Sequence, residues 1–179
     1  RYNNLTNTYY PLLYPIKLSG GYQEKEIGDD MLTSTELTSR LREAGFKVTP
    51  QRLAVYNMLS HTKAHPNADT IYKELQPLYP TMSLATVYKA LAILCDLGLA
   101  QELNVGEEAF RYDADTSHHP HIRCTCCGRV DDVPALNTES VYEQVKDETG
   151  YALSDHQLYF FGVCPECQAK NATNAKTMH

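Results

Sequence analysis

Residues 83–96 read Ser83-Leu-Ala-Thr-Val-Tyr-Lys-Ala-Leu-Ala-Ile-Leu-Cys-Asp96, and this stretch decides the fold. Ser83 is a good N-cap, because its hydroxyl can accept from a backbone N–H that the first helical turn leaves unpaired. Leu84, Val87, Leu91 and Leu94 then recur at helical spacing as one apolar stripe, and Gly98 supplies the stop. The opposite face carries Ala85, Tyr88, Lys89 and Ala92, which suits contact with a partner better than burial.

The flanking sequence gives this helix its context. Upstream, Leu37 and Leu41 mark a short amphipathic helix that stops at Ala44-Gly45. Thr49-Pro50 pairs an N-cap with proline at the first helical position, and the helix it opens carries Leu53, Val55, Tyr56 and Leu59. A third helix starts near Asn67, carries Ile71, Tyr72 and Leu75, and ends around Tyr79-Pro80. Downstream, Ala100–Val105 and Ala109–Tyr112 read as strands on either side of the turn Gly106-Glu107-Glu108. Short helices followed by a hairpin form a winged helix-turn-helix, with Ser83–Asp96 as its recognition helix. Such a helix reads base edges with its exposed face. Tyr88 can touch a thymine methyl and Lys89 a base or phosphate, while Ser83 and Thr86 sit where the helix dipole favours phosphate. Lys47 and Arg52 flank the second helix as further phosphate or minor-groove contacts. Taken singly, Tyr88 can equally be a surface aromatic and Lys89 a solvated charge.

The second half carries different chemistry. Cys124-x-x-Cys127 and Cys164-x-x-Cys167 are two knuckles that together offer four thiolates to a tetrahedral Zn²⁺. His119-x-His121 precedes the first knuckle, and a filled tetrathiolate sphere leaves those imidazoles for a second metal centre. Strands are expected over His119–Cys124 and Arg129–Val133, a helix from about Asn137 to Glu148, and a strand from about His156 to Val163. So small a unit buries little, so a structural metal and a second subunit are both expected. Tyr159, Phe160 and Phe161 suit a sheet shared between subunits.

Composition bounds the rest. Lys+Arg 16 against Asp+Glu 22 gives a net charge of -6, so bulk charge does not announce a nucleic-acid binder. The distribution is uneven: residues 31–105 hold seven Lys/Arg and six Asp/Glu, residues 106–179 six and twelve. An acidic second half suits cation binding, and a near-neutral first half leaves room for a local basic face. Six cysteines without a secretory leader point to a reducing cytoplasm and metal ligation. No apolar run approaches the ~20 residues that span a bilayer, so no membrane partner is expected. Residues 1–30 hold five of the thirteen tyrosines and no helical period. They are set apart as an N-terminal extension, native or vector-derived.

From Met31 to about Asn171 the chain resembles the Fur family of metal-responsive repressors. The resemblance rests on Val48-Thr-Pro-Gln-Arg52, His65-Pro-Asn-Ala-Asp69, Ser83-Leu-Ala-Thr-Val-Tyr88, Arg111-Tyr-Asp113, His118-His-Pro-His121, Cys124-x-x-Cys-Gly128 and Gly162-Val-Cys-x-x-Cys167. It implies an α+β chain with a winged-helix DNA-binding domain over 31–113, a small α/β dimerisation domain with a structural zinc site over 114–171, and a tail over 172–179. It implies a homodimer on a palindromic double-stranded DNA operator when a regulatory metal is bound. Within the family the pattern is most like the peroxide-sensing members, whose regulatory site maps to His65, Asp113, His119, His121 and Asp132. Iron-uptake members usually carry glutamate where Asp132 stands. Imidazole and carboxylate donors suit Fe²⁺ or Mn²⁺. With Fe²⁺, the resemblance implies that peroxide oxidises His65 or His119. Read without the resemblance, His65 before Pro66 is a helix-leading residue and Asp113 a hinge-capping carboxylate.

Three functions follow in order: a repressor that senses peroxide through Fe²⁺, an iron or manganese uptake regulator that binds its metal reversibly, and a metalloenzyme. The last lacks a clear general acid or base beside the ligands and any substrate motif, so no enzyme is expected. A further site of some family members would map to His118, Glu139 and His156, with Pro120 standing where an aspartate is usual. Cys126, between two proposed zinc ligands, is either a spectator or a redox-active thiol. Cys95 is read as a packed small hydrophobe.

Overall fold

The computed structural model describes residues 31–133, 136, 138–154 and 156–177. The segment 1–30 and the expected helix start at Asn137 lie outside the described residues. Four helices come first: α1 (Ser34–Glu43), α2 (Pro50–Ser60), α3 (Ala68–Leu75) and α4 (Leu84–Asp96). Each opens on a side chain that accepts from the N–H three residues on: Thr33 from Glu36, Thr49 from Arg52, Asn67 from Thr70 and Ser83 from Thr86. In α1 the Glu36 carboxylate also accepts from the Thr33 N–H, completing a capping box. The apolar stripes meet in one core, where Leu37, Leu41, Val55, Leu59, Ile71, Leu75, Val87, Leu91 and Leu94 are fully buried. Cys95 packs partly buried against it.

α3 is shorter than its sequence suggests, ending before the expected Tyr79-Pro80. The helix stops at Leu75, and the carbonyl of Leu75 then accepts from Leu78 and Tyr79 in a tighter turn. The wing also differs in extent. β1 (Gln101–Leu103) and β2 (Arg111–Asp113) pair antiparallel, Gln101 opposite Asp113 and Leu103 opposite Arg111, and are shorter than expected. Residues 104–110 lie outside the ladder, and among them Glu107 faces Arg111 and Arg123 with its carboxylate.

The second sheet has the order β4-β3-β5, with β3 (His121–Cys124) central. β4 (Val130–Asp132) runs antiparallel to it, β5 (Tyr159–Gly162) parallel. The crossover to β5 contains α5 (Glu139–Thr149), which ends on Gly150 at φ 68, a left-handed conformation that glycine adopts without strain. A final helix, α6 (Pro165–Thr177), was not expected and runs across the 171/172 boundary. Between the wing and this sheet lies a small apolar seam of Leu103, Val105 and Val130, with Tyr159 against it. No helix among the described residues is long and apolar enough to cross a membrane.

Two candidate metal centres

Strand pairing assembles the first cluster. His121 and Asp132 are direct partners across β3 and β4, so both side chains rise on one face of the sheet. Asp113, last in β2, reaches the same point from the wing. His119 arrives from the segment just before β3, its Nδ1 facing the Ser117 carbonyl at 2.9 Å. His65 comes from the winged-helix domain, between α2 and α3. Its φ of 45° is the only positive value among described non-glycine residues, in a region that costs free energy and clusters at functional sites. The following segment is pinned to β2, since Pro66 O accepts from Tyr112 N at 3.1 Å and Asn67 bridges to Arg111.

One ligand atom from each of His65, Asp113, His119, His121 and Asp132 lies within 4.8 Å of all the others. The Asp113 Oδ2 distances to His65, His119 and His121 Nε2 are 3.4, 3.3 and 3.6 Å. For Asp132 Oδ1 the corresponding distances are 2.8, 3.2 and 3.7 Å. Even so, Asp113 Oδ2, His119 Nε2, His121 Nε2 and Asp132 Oδ1 are buried without a hydrogen-bond partner. Closeness without hydrogen-bond geometry results when lone pairs aim at a common centre rather than at each other. Buried polar atoms of this kind call for an explanation, and a divalent cation fits. The far side of two rings supports it: the Val130 carbonyl, 3.3 Å from His65 Nδ1, and the Ser117 carbonyl hold the Nδ1 protons, leaving Nε2 as donor atoms.

The charges fit the same picture. Burial pulls the His65 pKa down, but the Asp113 and Asp132 carboxylates outweigh it and push it up to about 9. Asp113 and Asp132 raise His119 to about 10 against the opposing effect of burial. Burial works to raise Asp113, yet His119, His121 and His65 hold it well below the usual carboxylate range. Asp132 is likewise held low against burial by His119 and His65. A cation must displace the imidazole protons before it can bind. With folded-state values near 9 and 10, both rings are charged at pH 7, so Mn²⁺ uptake should release about two protons. Affinity should therefore fall as pH is lowered. Calorimetry in buffers of different ionisation enthalpy measures the count; a value near zero would contradict this charge arrangement.

The second cluster is Cys124, Cys127, Cys164 and Cys167, again with all ligand atoms within 4.8 Å. Cys124 ends β3, and Gly128, at φ 74, closes its knuckle by donating to Cys124 O at 2.9 Å. Parallel pairing of β3 with β5 sets Cys124 beside Gly162, which carries Cys164 into place, and Cys167 lies in the first turn of α6. Zn–S bonds of about 2.3 Å put tetrahedral sulfurs about 3.8 Å apart; Cys127 and Cys164 Sγ are 3.9 Å apart. The Cys164 N–H donates to Cys124 Sγ at 3.3 Å. That donation, with a further one at Cys127, outweighs burial and lowers the Cys124 thiol to about 6, favouring the thiolate a metal needs. Cys126 is exposed and stands outside the cluster.

The other sequence-derived residues are more dispersed. Tyr88, Lys89 and Lys47 are exposed. Ser83 Oγ and Thr86 Oγ1 lie 2.9 Å apart, with Ser83 Oγ also accepting from Thr86 N, so these hydroxyls serve the cap. Arg52 donates to the Lys47 carbonyl and lies over Phe46 at 6.0 Å, anchored at the start of α2. His118 and His156 stack with centroids 5.4 Å apart, but the two clusters above are the groups of metal-ligating side chains among the described residues, and Glu139 is in neither. Glu107, Arg111 and Arg123, not singled out by their sequence as a group, meet across the domain junction. Charged residues in a turn and two strands carry no local signal of such a meeting.

A winged helix joined to a small sheet module by a His/Asp cluster, beside a tetracysteine site, defines a metal-dependent DNA-binding regulator. The profile of the Ferric uptake regulator family matches residues 43–161. Transcriptional regulator PerR of Clostridium acetobutylicum is 50% identical over 135 residues, covering 75% of this chain and 98% of that protein. The peroxide operon regulator of Bacillus subtilis is 40% identical over 75% of this chain and 93% of its own length. Among solved structures, the Vibrio cholerae ferric uptake regulator is similar with a TM-score of 0.62 at 29% identity, over 72% of this chain and 99% of that one. The chain belongs to the Ferric uptake regulator family. It is a transcriptional regulator and not an enzyme.

Proposed function

We propose that this protein is a metal-dependent repressor of the peroxide-sensing type, binding a palindromic operator as a homodimer while its regulatory site is filled. One observation carries the reading: His65 from the winged helix and Asp113 at the hinge converge with His119, His121 and Asp132 of the second module. A donor set drawn from both domains is complete only when they are closed, so occupancy and domain arrangement are linked. Exposed Val141 and Val145 on α5, with Phe160 and Phe161 on β5, support pairing with a second copy, which would present two recognition helices to two half-sites.

The chain's own residues would do the following. Val130 and Ser117 orient the His65 and His119 rings, and Asp113 and Asp132 supply the negative charge that favours a divalent cation. The chemistry Fe²⁺ would supply in such a donor set is cleavage of the peroxide O–O bond, with one oxygen passing to His65 or His119 in a net two-electron oxidation and the other leaving as water. An oxidised His65 is a poorer donor from the winged-helix side, so closure weakens and the grip on DNA with it. The two relatives named above are peroxide regulators or PerR by name, which supports this type over an iron or manganese uptake regulator.

Mass spectrometry after hydrogen peroxide treatment tests the proposal. Fe²⁺-loaded protein should gain a single oxygen on a His65 or His119 peptide, and Mn²⁺-loaded protein should not. Unmodified histidines in the iron form would leave a regulator that binds its metal reversibly. DNA binding with and without Mn²⁺, at stated salt, tests the partner separately.

A further inference from the structure

Between the two metal centres the wing meets the zinc knuckle through charges that belong to neither site. Glu107, in the turn between β1 and β2, sets one carboxylate between two guanidiniums. Its Oε2 accepts from Arg111 Nε at 2.8 Å and Nη2 at 2.7 Å. Its Oε1 accepts from Arg123 Nε at 3.1 Å and Nη2 at 2.9 Å. Arg111 Nη2 also donates to the Gly128 carbonyl at 3.3 Å. Space is tight here: a Cβ on Gly128 would come within 3.2 Å of Glu107 Oε1.

We propose that Glu107 is a metal-independent clasp that, by holding Arg123 of the second module onto the wing, biases the domains toward closure and so sets how much metal the sensing site requires. Opening would leave Glu107 and Arg111 together, since both belong to the wing. It would break the Arg123 fork and the Gly128 contact. The side chains of Arg111, Glu107 and Arg123 are 18%, 20% and 24% exposed, so this fork is better shielded than a surface ion pair. It also borders the buried seam of Leu103, Val105 and Val130, which would become exposed on opening. The proposal rests on the reading that one ion spans both domains. Under that reading, apparent affinity is the intrinsic affinity reduced by the fraction already closed.

Mn²⁺ binding and small-angle scattering of the zinc-loaded protein test it. Glu107→Gln should raise the Mn²⁺ dissociation constant about fivefold and expand the metal-free protein, with the wild-type dimensions regained at saturating Mn²⁺. Glu108→Gln, which removes the same charge from an exposed neighbour, should change neither. An unchanged constant overturns the clasp. So does a raised constant without expansion, because Glu107 would then merely orient Asp113. If Glu107→Gln unfolds the wing, Arg123→Lys, which keeps the charge but loses the fork, carries the same two readouts. A wild-type protein that binds no Mn²⁺ would sink the sensing-site reading, while the scattering comparison would still decide the clasp.

Discussion

Cys164→Ser is expected to release the zinc and, with it, to unfold the second module. Among the described residues beyond Ala114, the buried apolar side chains are Pro120, Val130 and three of the cysteines themselves. So small a core cannot offset the chain entropy of ordering two sheet edges and their connections. Zinc contributes on the order of 10–16 kcal/mol to folding in tetrahedral finger peptides at neutral pH, enough to decide whether this module folds. The substitution also leaves the Cys124 sulfur, which accepts from the Cys164 N–H, without a metal. The variant should lose zinc, run as a monomer and show a lower, broader thermal transition from the α1–α4 core alone. Cys126→Ser is the control: its side chain lies outside the cluster, so zinc content and melting should not change. A zinc-free Cys164→Ser protein that still dimerised and melted like the wild type would refute the structural role.

Asp113→Ala should cut Mn²⁺ affinity at least about a hundredfold and leave DNA binding indifferent to the metal. Asp113 faces all three imidazoles at 3.3–3.6 Å and is the only carboxylate the wing offers to the cluster. Without it the remaining donors are three imidazoles and one carboxylate, and the link from β2 is gone. Asp113 Oδ1 also accepts from Asp115 N at 2.9 Å, so alanine alters the hinge as well. Asp113→Asn keeps an acceptor for that hydrogen bond and separates the two effects. It should fold like the wild type and still bind Mn²⁺ poorly. The measurement is a Mn²⁺ titration of binding to a DNA site selected with the wild-type, metal-loaded protein. If Asp113→Ala responded at the same Mn²⁺ concentration as the wild type, the switch would lie outside this cluster.

Much of the winged helix was legible because its signals are local. Thr33, Thr49, Asn67 and Ser83 each cap a helix through an N–H only three residues away, a contact that needs no tertiary partner. The apolar stripe of α4 declares its buried face by period alone. Strand limits were less legible, since a strand ends where its neighbour ceases to pair, and the neighbour is remote. The wing shows this: the expected Ala100–Val105 pairs only over Gln101–Leu103, opposite Arg111–Asp113. The last helix was missed for a related reason. Residues 168–177 are mostly small and polar with no apolar stripe, and α6 starts from the Cys164–Cys167 knuckle rather than from a buried face of its own.

By itself the sequence determined the two CxxC spacings and the helix caps, because both act over a few residues, whereas His65 and Asp113 read as metal donors only through the family resemblance. Only the tertiary structure decided that β3 runs parallel to β5 and so joins the two knuckles, and that His121 pairs with Asp132 in register. It alone set His65 at a positive φ against the Val130 carbonyl, and placed Glu107 between arginines of two domains. Apart from the local Glu107–Arg111 pair, these arrangements join residues 11 to 65 positions apart in the chain. Their cost is loop-closure entropy and their return is burial and charge pairing, a balance struck only when the whole chain is folded.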